Sequence, residues 1–78
     1  MIFLIEYNRQ KELIVKFERF RNSERTKAEN RRFEIELDLN RRKINHEVVL
    51  LEADTEGGLR RTHNRYFQSL NESLKEKI

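Results

Sequence analysis

Residues 33–40, FEIELDLN, alternate apolar and polar side chains without a break, the pattern of a strand with one buried face. Glu and Leu dominate the same residues, and Ile35 is the only β-branched side chain among them, a composition that favours a helix. On a helix, Ala28, Arg32, Ile35 and Leu39 share one face, while Phe33 and Leu37 fall nearly opposite. The choice decides how many strands the domain has. With Ser23 as a candidate N-cap and Glu24 in the first turn, the favoured reading is one helix over about 24–41; an independent strand over 33–40 is the alternative.

Upstream, MIFLIEYNRQKELIVKFERF (1–20) holds two β-rich runs, Ile2–Asn8 and Leu13–Phe20. The polar RQKE between them suits a hairpin loop of about four residues. Phe3, Ile5 and Tyr7 line one face of the first strand, and Leu13, Val15 and Phe17 one face of the second, so the two sets are expected to pack together. Downstream of NRRKIN, the run HEVVLLEA (46–53) is too short for a typical helix and rich enough in Val and Leu for an interior strand. Asp54 or Thr55 then caps a final helix from about Glu56 to Lys75, on which Leu59, His63, Tyr66, Leu70 and Leu74 form one buried face with Phe67 at its margin.

These elements predict a single small α+β domain over residues 1–78, in the order β-β-α-β-α. A right-handed crossover from the second strand to the third leaves the first in the middle. The expected sheet is therefore three-stranded, mainly antiparallel, of order 2-1-3, with both helices on one face. A chain of 78 residues has apolar surface for one modest core. Charged residues make up 40% and hydrophobic residues 36%, so the chain folds with a narrow margin. Cysteine is absent, which excludes disulfides and thiolate metal sites and makes the cytoplasm the expected compartment. The apolar IFLI is cut short by Glu6 and Arg9, too soon for a signal-peptide core or a membrane span, so no membrane partner is expected.

Strand alternation then carries a functional expectation. If both helices cover the Phe3 face, Ile2, Leu4, Ile14, Val48 and Leu50 lie on the other face with nothing left in the chain to bury them. An apolar patch of that kind marks a contact surface, and these five residues are the expected site of homodimerisation or of docking to a protein partner. Phe33 and Leu37 offer a second contact. The expected function is a non-enzymatic interaction module.

The alternative is an accessory domain that binds nucleic acid or phosphate. Net charge is +3 with a calculated pI near 9.5, and residues 19–32 hold six basic side chains against two acidic ones, including Arg25, Arg31 and Arg32. Glu34, Glu36 and Asp38 follow at once and offset most of that charge. DTEGGLRR (54–61) brings together a helix start, Gly57, Gly58, Arg60 and Arg61, the ingredients of an anion site. Its spacing matches neither the P-loop nor the dinucleotide fingerprint, and Glu56 adds negative charge to the same turn.

LRRTHNRYF (59–67) divides on a helix, with Leu59, His63, Tyr66 and Phe67 toward the sheet and Arg61 and Asn64 outward. His63 reads as a residue at the edge of the core. The chain has no cysteine nucleophile, no nucleophile-elbow spacing and no HExxH, and His46 and His63 have no evident third ligand. No catalytic residue, metal or cofactor is expected.

EVVLLEADTEGGLRRTHNRYF (47–67) resembles a segment of small uncharacterised bacterial proteins, in which a Val-rich strand leads through a capped helix to an Arg-containing stretch ending in RYF. The resemblance implies a strand followed by a helix there and carries no activity. The adjacent Gly57 and Gly58 depart from it, since helix-forming residues are expected at such a start.

Overall fold

FEIELDLN is helical. In the computed structural model, which describes residues 1–67, it forms the second half of α1 (Arg25–Arg41). Ile35 and Leu39 are buried against the sheet, while Phe33 and Leu37 project away from it, 60% and 51% exposed. Before α1 come β1 (Ile2–Asn8), β2 (Leu13–Phe20) and a 3-10 turn over Asn22–Glu24; after it come β3 (Glu47–Glu52), α2 (Glu56–Thr62) and a 3-10 turn over Asn64–Tyr66. The strands form one antiparallel sheet in the order β2-β1-β3, so the expected element order and central strand are both found.

The ends of α1 are set by local chemistry. The Glu24 carboxylate accepts the Arg21 backbone N–H at 2.8 Å, which holds its pKa below the ordinary value. At the other end, Lys43 N–H donates to the Asn40 carbonyl at 3.1 Å and Ile44 N–H to the Leu39 carbonyl at 2.9 Å, with Ile44 packed on the cluster that contains Leu39. This is a Schellman termination, and it forces Lys43 into the left-handed region at φ 57°. Lys43→Gly is therefore expected to stabilise the fold by about 0.5–1 kcal/mol, raising Tm by a few degrees in thermal denaturation. An unchanged or lower Tm would mean that the lysine side chain contributes more than the backbone conformation costs.

The expectation that both helices share one face is overturned. α1 covers Ile2, Leu4 and Phe20 with Ala28, Ile35 and Leu39, and Ile44, Val48 and Leu50 pack on that cluster. α2 and the turn after it cover Phe3, Ile5 and Tyr7 with Leu59, Tyr66 and Phe67. The sheet thus lies between two helical layers. The handedness of a crossover constrains only α1, which links the mutually parallel β2 and β3; α2 follows β3 and is free to take the other face. β1 supplies the driving force, being apolar on both sides except at Glu6 and buried from Ile2 to Tyr7.

A bulge corrects the second strand as well. Ile5 faces Phe17 and Glu6 faces Lys16, but Tyr7 faces Ile14, so Val15 is skipped in the ladder. Ile14 consequently packs with Phe17 on the α2 side, and Leu13 and Val15 are each left 50% exposed.

The final helix is also shorter than expected. α2 ends at Thr62, and His63 leaves helical geometry at φ −125° and ψ 47°. The 3-10 turn brings Tyr66 edge-on to Tyr7 at 5.2 Å between centroids and leads into Phe67, which meets Phe17 at 6.1 Å. Burial of these two rings outweighs continued helix after a start weakened by Gly57 and Gly58. Leu70, Leu74 and the expected helix end at Lys75 lie outside the described residues.

Candidate functional site

The five residues expected to form an open apolar face do not form one. Ile2 and Leu4 are fully buried beneath α1. Ile14 lies on the opposite side, with Phe17. On the α1 side Val48 and Leu50 keep some exposure because they belong to an edge strand, and Ile14 is likewise half-buried on the other side. With both faces covered, the strand backbone left unpaired among the described residues lies at the two edges of the sheet.

The edges differ in chemistry. β2 carries the bulge at Val15 and three charged residues, Lys16, Glu18 and Arg19, which discourage strand addition. Arg31 of α1 clamps this edge by donating to both Glu18 carboxylate oxygens, at 3.1 Å from Nε and 3.0 Å from Nη2. β3 presents Val48, Val49, Leu50 and Leu51 in succession, all half-buried, with no charge, proline, glycine or bulge among them. Its flanking carboxylates are matched within the chain. Glu52 pairs with Arg25, and Glu47 accepts from the Tyr66 hydroxyl and from Arg65. Burial, reinforced by that bond to Glu47, pushes the Tyr66 pKa up and keeps the phenol a donor.

The cations of the anion-binding alternative fall into two groups on opposite sides of the sheet. On α1, Arg25 pairs with Glu52, Arg31 with Glu18 and with Glu34 at 3.8 Å, and Arg32 with Glu36 at 3.6 Å. On α2, Arg60 pairs with Glu56 at 3.7 Å and lies over the Phe67 ring at 4.7 Å, while Arg61 is exposed. Gly58 N–H donates to the Thr55 hydroxyl oxygen at 3.0 Å, which caps the helix start; Gly57 is exposed beside it. A cleft between α1 and β2 is lined by Lys16, Arg31, Glu34, Asp38, Arg41 and Arg42, among others. Its charge is mixed, since Asp38 takes both Arg41 at 3.1 Å and Arg42 at 2.9 Å, and these bonds hold the Asp38 pKa down.

One polar pair escaped the sequence reading. Glu6, in the middle of β1, is only 4% exposed, and its carboxylate lies 2.7 Å from Nδ1 of His46. The contact pins the residue before β3 to the central strand. Its signal was an acid inside the apolar run IFLIEY, because a carboxylate placed there needs a partner. His63 is half-buried at the end of α2 and is not part of this pair. Among the described residues no three His, Cys, Asp or Glu side chains are grouped to hold a metal ion, and no helix is long and apolar enough to cross a membrane.

No family model, no curated protein and no solved structure matches the chain.

Proposed function

We propose that the chain is a small cytoplasmic, non-enzymatic protein-association module whose contact element is the outer edge of β3. The observation that carries this reading is the contrast between the edges: β2 is bulged and charged, whereas β3 offers an unbroken VVLL run. Strand addition satisfies the outward backbone groups of such an edge and buries its apolar side chains at the same time. The earlier expectation of association through an apolar surface is kept, but moved from the sheet's face to its rim. Nucleic-acid or phosphate contact finds less support, because four of its five arginines are held by carboxylates.

A synthetic peptide of residues 47–52 is the probe. Titrated into the isotopically labelled full chain, it is expected to shift Val48–Leu51 amides and slow their hydrogen exchange, leaving Lys16–Arg19 unchanged. Protection confined to β2, or no response at millimolar peptide, would overturn the reading.

A further inference from the structure

We infer that the occupant of the β3 edge is a second copy of this chain, paired antiparallel about a two-fold axis so that two three-stranded sheets become one of six strands. The inference rests on the edge reading above and adds the identity and register of the partner. Charge along α1 carries it. The Arg25 pair with Glu52 places one flank of α1 on the β3 side, just as the Arg31 pair with Glu18 places the other on the β2 side. Helical periodicity groups Arg32, Glu29 and Glu36 with Arg25 on the β3 flank, giving the series plus, minus, plus, minus at 25, 29, 32 and 36.

An antiparallel copy turns that series into a match. About a point between residues 30 and 31, Arg25 meets Glu36 of the second copy and Glu29 meets its Arg32, and the symmetry repeats each pair. No like charges face one another. Glu29, which has no ion pair among the described residues, gains one.

The strand demands an axis at the same height. Residues directly opposite in an antiparallel ladder point to the same face, so the axis passes through a residue, and the middle of β3 offers Val49 or Leu50. These lie about 7–10 Å from Glu52 at about 3.3 Å per strand residue. Arg25 marks the level of Glu52 on α1, and the same distance along a helix at about 1.5 Å per residue reaches residues 29–32. The strand-centred axis and the helix-centred axis therefore coincide. α1 packs on Ile2 and Leu4 of β1, on Phe20 of β2 and on Val48 and Leu50 of β3, so it lies over the middle of the sheet; two such helices on either side of a joint of about 4.8 Å stand roughly 14 Å apart, a gap that an extended arginine and an extended glutamate span together.

The test is the mass of the full chain by light scattering from micromolar to millimolar concentration, with Arg32→Glu, Glu29→Arg and the double variant compared with the parent. Both positions are exposed on α1, and amide spectra of each variant are to be compared with the parent's to check that it is folded. The parent is expected to dimerise. Each single reversal sets two pairs of like charges across the axis and should weaken association by about tenfold or more, and the double variant should restore it. A parent that stays monomeric to millimolar concentration, singles that dimerise like the parent, or a double variant that stays apart would each overturn the inference. Peptide capture at β3 by a chain that remains monomeric would keep the edge reading and remove only the self-pairing.

Discussion

Leu4→Asp is expected to unfold the protein rather than to separate two copies of it. Leu4 is fully buried in the central strand, opposite Glu18 on one side and Leu50 on the other, beneath the Ala28, Ile35 and Leu39 face of α1. The change removes apolar contacts and places a carboxylate inside an apolar cluster, beside the Glu18 carboxylate of the neighbouring strand, a combined loss of about 5 kcal/mol or more. A domain of this length has a total stability of about 4–12 kcal/mol. Circular dichroism should therefore show a chain largely unfolded at ambient temperature. Leu4→Ala, which opens a cavity without adding charge, should remain folded with a stability loss of about 2–5 kcal/mol in urea titration. A folded Leu4→Asp protein that has lost only self-association would mean that α1 does not cover this face.

That expectation reverses what the alternation of β1 suggests by itself, and the reversal shows which parts of the fold could be read from residues. The hairpin, α1 and β3 follow from local pattern, and FEIELDLN is resolved by its composition because helix propensity and the apolar spacing of Ala28, Ile35 and Leu39 agree. The placement of α2 is not local. Nothing in EGGLRRT states which side of the sheet it takes; the apolar continuity of Ile2 to Ile5, which leaves two faces to bury, is where that information lies. The bulge at Val15 has no turn residue or glycine to announce it, so Ile14 was assigned to the wrong side by strict alternation. The candidate site moved for the same reason. Once Ile2 and Leu4 are covered, the VVLL run matters for its position at the end of the sheet, and a sheet's edges become known only when its strand order is.

His46→Ala is expected to cost about 3 kcal/mol although His46 itself contributes little apolar area to the core, because its effect is exerted on Glu6. The Glu6 side chain is 6% exposed, and the imidazole at 2.7 Å is the hydrogen-bond partner of one of its carboxylate oxygens. Truncation leaves a nearly buried carboxylate oxygen on the central strand without this hydrogen-bond partner, or draws water into the sheet; either course is unfavourable relative to the intact pair. Removing both partners should behave differently. Glu6→Leu with His46→Ala eliminates the desolvation of charge along with the hydrogen bond, so the double variant should fall within about 1 kcal/mol of the parent, and Glu6→Leu alone should be far milder than His46→Ala. Urea denaturation of the four proteins forms a double-mutant cycle, with a coupling of about 2 kcal/mol expected between the two positions. A loss below about 0.5 kcal/mol for His46→Ala would show that Glu6 keeps its solvation without the imidazole, since a surface pair is worth no more than that. A large loss that the double variant recovers would locate the cost in the unpaired Glu6 carboxylate rather than in lost packing. The contact between His46 and Glu6 would then act on the fold through the acid it satisfies, at the point where the chain enters β3.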